Sequence, residues 1–107
     1  MTILVVEKWV VKPEKQEEHM KVMQKFRKFI KDNPELFKEI KSVKEYTQMF
    51  GGISGMCIWL IEYDSLADYE KNHTRMDKDE DVKKLTQEWN ALIDPATVSV
   101  DIWGPME

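Results

Sequence analysis

Imidazole is the side chain best matched to moving protons near neutral pH, and this chain holds two, each placed after an apolar run that ends in glutamate. Ile3-Leu4-Val5-Val6-Glu7 is followed twelve positions on by His19 and then Met20, and Ile58-Trp59-Leu60-Ile61-Glu62 is followed eleven positions on by His73 and, soon after, Met76. His73 is the stronger candidate for a base or ligand, because it falls on the apolar side of a helix start and so faces whatever that helix covers. A histidine merely hydrogen-bonded at a cavity edge is the plainer alternative. His19 lies at the flank of its helix's apolar stripe and reads as a solvated side chain.

Other chemistry-bearing types are less sharply placed. Glu7 and Glu62 close the two apolar runs, and carboxylates on neighbouring strands could share a proton or, with histidines, hold a metal. Each leaving the core at a strand end to meet a lysine is the simpler reading. No HxxxH or CxxC spacing occurs, so no metal is expected, and no cofactor either. Trp9, Trp59, Trp103 and Tyr63 on strands, with Met20, Met23, Met49 and Met56, could line an adaptable pocket for a planar apolar ligand. They equally suit a core and an interface. The phenols of Tyr46, Tyr63 and Tyr69 could orient a ligand oxygen.

The elements that must position these groups follow from periodicity. Residues 2–11 alternate with both sides mostly apolar, predicting a strand covered on two faces. Lys12-Pro13-Glu14 opens a helix whose buried stripe is Met20, Met23, Phe26, Phe29 and Ile30, and Asn33-Pro34 stops it. An extra turn over 34–40 precedes a half-buried strand of alternating residues over 42–50. Gly51-Gly52-Ile53-Ser54-Gly55 predicts a hairpin loop leading to a strand over 56–63. Asp64-Ser65 caps a second helix presenting Leu66, Tyr69 and His73. The acidic run over 77–81 predicts a solvated interruption between two helical pieces, after which Val82, Leu85, Trp89, Leu92 and Ile93 resume the helical period until Asp94-Pro95. A last strand covers 97–103.

The order βαββαβ predicts an α+β, ferredoxin-like domain spanning residues 1–107: a four-stranded antiparallel sheet with two helices on one face. Helices on one face leave strands 1 and 3, apolar on both sides, uncovered on the other. An open apolar face of that size is unusual in a monomer, so a second copy packing sheet against sheet is expected.

With these elements in place, the strand Met56–Tyr63 followed by Asp64-Ser65-Leu66-Ala67-Asp68-Tyr69 and then His73 resembles the dimeric α/β-barrel superfamily, in particular its antibiotic-biosynthesis-monooxygenase-like branch. The resemblance implies two ferredoxin-like subunits forming a barrel, with ligands held between the sheet and helices of each. It implies for this chain either binding of a small apolar or aromatic metabolite, with Trp59, Tyr63, Tyr69, Tyr46 and Met23 as contacts, or a cofactor-independent monooxygenase-like enzyme using His73 for proton transfer. The haem-degrading members of that superfamily use an asparagine on the first strand with a tryptophan and a histidine on the second helix. Here the first strand offers Glu7 and Lys8 instead, and the tryptophan nearest His73 along the helical stretch is the distant Trp89.

Composition narrows the classes further. The 107 residues suit one core, and 42% apolar with 34% charged residues describes a globular chain. A net charge of −4, with 14 Lys and 2 Arg interrupted by acids throughout, offers no basic stripe, so nucleic acid is not an expected partner. The strand over 56–63 carries no basic residue, unlike the third strand of RNA-binding domains with this strand order. The glycine loop leads into a strand rather than a helix, which excludes a phosphate-binding loop, and no Ser or Cys occupies a nucleophile elbow. The lone Cys57 lies in an apolar strand and reads as a small hydrophobe. Neither a signal peptide nor a membrane-spanning run is read, so no membrane association and a cytoplasmic location are expected.

Overall fold

The computed structural model describes residues 2–53 and 55–106. Its elements are β1 (Ile3–Val11), α1 (Gln16–Asp32), β2 (Ile40–Thr47), β3 (Cys57–Tyr63), α2 (Leu66–Asp77), α3 (Glu80–Asn90) and β4 (Ile93–Trp103). The four strands form one antiparallel sheet in the order β2-β3-β1-β4. This is the expected α+β, ferredoxin-like arrangement, with one correction: the described residues form three helices rather than two. Lys78 ends α2, its backbone N–H donating to Arg75 O while Asp79 N donates to Met76 O. Asp79 then starts α3 as its N-cap, its carboxylate accepting from Val82 N at 3.0 Å. The acidic run is therefore the expected interruption between two helical pieces, mostly exposed to solvent and capped by Asp79.

Alternation divides the sheet cleanly. Ile3, Val5, Glu7, Trp9 and Val11 of β1 stand opposite Tyr63, Ile61, Trp59 and Cys57 of β3, in register from Ile3–Tyr63 to Trp9–Cys57. Most of this row, with Met23 of α1 and Ile93 of β4, forms the buried core on the helix side. Leu4, Val6 and Lys8 stand opposite Glu62, Leu60 and Ile58 on the other face. There Val6 is fully buried by its own neighbours, while Tyr46 and Trp103 remain half exposed. Lys8 Nζ lies 6.0 Å from the centre of the Trp103 ring.

Helix α1 buries His19, Val22 and Met23, with Phe26, Phe29 and Ile30 half-buried. The stripe departs from the expected one only in its first turn: Met20 is 58% exposed, whereas His19 is buried. Pro13 and Glu14 form a turn ahead of the helix, and Glu14 has φ 67°. A left-handed conformation is unfavourable for a residue with a Cβ. Glu14→Gly is accordingly expected to stabilise the fold by about 0.5–1 kcal/mol in urea unfolding, an unchanged or lower midpoint being the contrary result.

Two strand boundaries also differ from expectation. Strand β2 ends at Thr47, so Met49 and Phe50 fall in the loop, 77% and 89% exposed. Gly51, Gly52 and Gly55 all take positive φ and close the hairpin, with Gln48 N donating to Met56 O at 2.8 Å; Ser54 lies outside the described residues. At the other end, α3 stops at Asn90 and β4 starts at Ile93, which pairs with Val11 and is fully buried. Pro95 is tolerated because β4 is an edge strand whose register against β1 shifts between Lys8 and Val10. At that irregularity Val10 N donates to Thr97 Oγ1 at 2.9 Å, a side chain replacing the missing ladder acceptor.

Candidate functional site

Two spaces lie between sheet and helices, and Trp59 lines both. The inner one is a nearly closed cavity of about 60 Å³ with almost wholly apolar walls from Val5, Phe26, Phe29, Met76 and their neighbours. Its polar groups are Glu7, Tyr63, Tyr69 and His73. Strand geometry explains Glu7's presence. It sits mid-strand in the helix-facing row, opposite Trp59 on β3 and Val100 on β4. Among the described residues it makes no hydrogen bond and no ion pair within 4 Å. Burial pushes its carboxyl above the ordinary carboxylate range, an effect that the nearby His73 partly offsets.

The two tyrosines differ. Tyr63 is buried, and its hydroxyl donates to Asn72 Oδ1 at 2.6 Å. Asn72, fully buried on α2, donates in turn to Leu36 O at 2.9 Å. Burial first, and then Glu7, push the Tyr63 phenol up. Tyr69 has no such tether; its ring lies 5.4 Å from Tyr63 and 5.5 Å from His73, and burial raises its phenol as well. His73 closes one side of the cavity but keeps its side chain 54% exposed, with Nδ1 3.4 Å from Asp77 Oδ2. The histidine singled out from the sequence is thus at the mouth of the cavity, and the acid inside it is Glu7.

The second space is an open cleft of about 370 Å³ at the hairpin end of the sheet. Trp9 Nε1 donates to His19 Nε2 at 2.9 Å, with both residues buried. Burial lowers the His19 pKa and Glu45 partly opposes this. Trp59 Nε1 donates to Glu45 Oε1 at 2.8 Å, and the other Glu45 oxygen pairs with Arg27. Trp9 packs edge-on against Trp59 and Trp89, at 5.9 and 5.2 Å between ring centres. Half-buried Cys57 lines this cleft with a thiol that burial pushes up, away from reactive thiolate.

Of the residues expected to act together, Trp59, Tyr63, Tyr69 and His73 share the inner cavity. Tyr46 and Met23 do not join them; both line the open cleft, Tyr46 half exposed. Glu7 and Glu62 are not a pair. Glu62 faces the opposite side of the sheet, beside Leu4, and accepts from Ser42 Oγ at 3.1 Å. Among the described residues no three His, Cys, Asp or Glu side chains come together to hold a metal ion. Sequence reasoning passed over Asn72 and read His19 as solvated. A signal for Glu7's placement was present: an acid inside the alternating row Ile3, Val5, Trp9, Val11.

No protein-family model matches the sequence, and no curated protein matches it. Solved structures do. A NIPSNAP family protein from Agrobacterium tumefaciens superposes with a TM-score of 0.79 at 15% identity, over 100% of this chain and 95% of that one. An antibiotic-biosynthesis-monooxygenase-like protein from Caulobacter crescentus gives 0.71 at 16% identity, over 99% and 91%. A dimeric protein of ferredoxin-like fold from Bacteroides fragilis gives 0.65 at 14% identity, over 95% and 94%. The fold is therefore the ferredoxin-like one, shared with NIPSNAP and antibiotic-biosynthesis-monooxygenase-like structures.

Proposed function

We propose that this one-domain protein works as a homodimer, paired through the sheet faces away from its helices, and takes a small apolar or aromatic molecule between sheet and helices. The observation that carries the ligand reading is Glu7. A carboxyl group without a hydrogen-bond partner in an apolar cavity is costly to keep, and such groups concentrate where they meet a ligand. Its surroundings are rings: Phe26, Phe29, Tyr69 and Trp59. The closed cavity has room for water but not for a metabolite, so entry requires α2 and these rings to move outward. The half-exposed Tyr46 and Trp103 on the open sheet face support the dimer, as does the dimeric Bacteroides fragilis relative in fold.

A second reading is a cofactor-independent monooxygenase-like enzyme, favoured by Glu7 and His73 lining one cavity. Glu7 would take a proton from an electron-rich aromatic substrate and His73 would pass it to solvent. The resulting carbanion would add to molecular oxygen, the co-reactant, as a hydroperoxide that takes back a proton and loses water, leaving one oxygen on the ring as a carbonyl. Native mass spectrometry of protein from its own source tests the main reading. The expected species is a dimer of the 12.7 kDa chain carrying a bound organic molecule that Glu7→Leu loses. A clean monomer at micromolar concentration contradicts the dimer. A bare dimer from the native source, identical in Glu7→Leu, contradicts the ligand.

A further inference from the structure

The open cleft beside His19 is built differently from the Glu7 cavity, and we infer that it is a second ligand site, for a neutral planar molecule bearing a carbonyl oxygen. Three observations define that chemistry. First, an indole N–H only donates, so the 2.9 Å bond from Trp9 Nε1 requires an unprotonated Nε2 on His19. The ring proton therefore sits on Nδ1, held in one tautomer and one orientation. Nδ1 has no partner among the described residues, yet no enclosed side-chain nitrogen or oxygen is left unsatisfied. His19 lines the open cleft, and on this inference its Nδ1–H is the donor offered to a ligand there.

Second, the cleft carries no spare charge. Its ionic lining groups are Arg27 and Glu45, and these are paired with each other. The remaining Glu45 oxygen is taken by Trp59 Nε1. Burial keeps the His19 imidazole neutral by lowering its pKa. An anionic or cationic ligand would find no unpaired counter-charge, whereas a carbonyl oxygen matches the His19 Nδ1–H, with Gln16, Tyr46 and Thr47 as further neutral polar groups of the lining. Third, the walls are flat and soft: Trp9, Trp59, Met20 and Met23. The volume of about 370 Å³ is already open and falls in the range of small-molecule pockets. Neither motion of α2 nor the Glu7 carboxyl is needed, so this site stands or falls apart from the inner cavity.

The test uses 6-propionyl-2-dimethylaminonaphthalene, a neutral naphthyl ketone whose emission moves to the blue in apolar surroundings, and 2-dimethylaminonaphthalene, which lacks the carbonyl. The ketone is expected to give a saturable blue shift. With ¹⁵N-labelled imidazoles, it should move the His19 Nδ1 resonance and leave those of His73 in place. His19→Phe should weaken the ketone at least about tenfold while binding the carbonyl-free compound nearly as wild type does. Three results would overturn the inference: no saturation up to the solubility limit, unchanged ketone affinity in His19→Phe, or movement of His73 in place of His19. That last result would locate the probe in the Glu7 cavity instead. Should His19→Phe fail to fold, the nitrogen resonances of the wild-type protein decide alone.

Discussion

Replacing Asn72 by leucine should cost about 3 kcal/mol of stability and lower the melting temperature by about 15 °C. Asn72 is fully buried and joins three parts of the chain: α2, which carries it; β3, through the Tyr63 hydroxyl at 2.6 Å; and the turn after α1, through Leu36 O at 2.9 Å. Leucine has similar bulk but neither accepts nor donates, so the Tyr63 hydroxyl is left buried without a partner. Leu36 O keeps one donor, Arg75 Nη1 at 3.1 Å, which limits the damage on that side. Tyr63→Phe alone should cost only about 1 kcal/mol, since it removes a donor and leaves the amide oxygen to rearrange. In the Asn72→Leu and Tyr63→Phe pair the losses should fall short of additivity, because the second change removes the group that the first has orphaned. Urea unfolding of the four proteins checks this. A single Asn72→Leu cost below about 1 kcal/mol, or strict additivity, would mean that the bridge contributes little.

Glu7→Gln should stabilise the protein by about 2 kcal/mol at pH 8, raising the melting temperature by about 10 °C, and by almost nothing at pH 4. The sign follows from the direction of the Glu7 shift. Burial raises its folded-state pKa above the ordinary carboxylate value. Its favourable contribution is therefore complete below the unfolded pKa and is lost as pH rises through the folded one. Glutamine imitates the protonated acid at every pH, so it matches wild type in acid and outperforms it when Glu7 is forced to ionise. His19 has the opposite dependence: burial lowers its pKa, so its contribution is present above the ordinary imidazole value and is lost as pH falls through the lowered one. Both proteins carry His19, and the difference between their stability curves isolates Glu7. A flat difference between pH 4 and pH 8 would contradict a half-buried, unpartnered carboxyl. A gain in stability on removing a group from a cavity is the expected mark of a residue kept for binding or catalysis rather than for folding.

Much of this architecture was legible because its physics is local. Alternation over Ile3–Val11 and Cys57–Tyr63 predicts the two central strands, Ser65 caps α2 through Asp68 N, and three glycines with positive φ turn the hairpin. What was misread depended on partners distant in sequence. Asp94-Pro95 looks like a helix stop, yet Ile93 is drawn into the sheet by Val11, and the irregular edge beside Val10 accommodates the proline. The α1 stripe holds at Met23, Phe26, Phe29 and Ile30 and departs only in its first turn, where His19 rather than Met20 is buried, because histidine is usually read as polar. Only Trp9, on another element, supplies the donor that lets His19 be buried. The site shows the same division. His73 was found from its place on a helix, but the element that brings an acid into its cavity is a strand more than sixty residues earlier. Glu7 and Glu62 looked equivalent at the ends of similar runs, and the register puts them on opposite faces.

The central claim is that Glu7 is a half-buried, unpartnered acid lining a cavity between sheet and helices, and its own titration tests that most directly. Carboxyl ¹³C resonances of the folded protein, followed from pH 3 to pH 9 and assigned by their loss in Glu7→Gln, should show Glu7 titrating above the ordinary carboxylate range while exposed acids titrate within it. The resonance should also move on addition of whatever molecule co-purifies with the protein. A Glu7 that titrates with the surface acids would contradict the account, placing its carboxyl in solvent and leaving the cavity as nothing more than core.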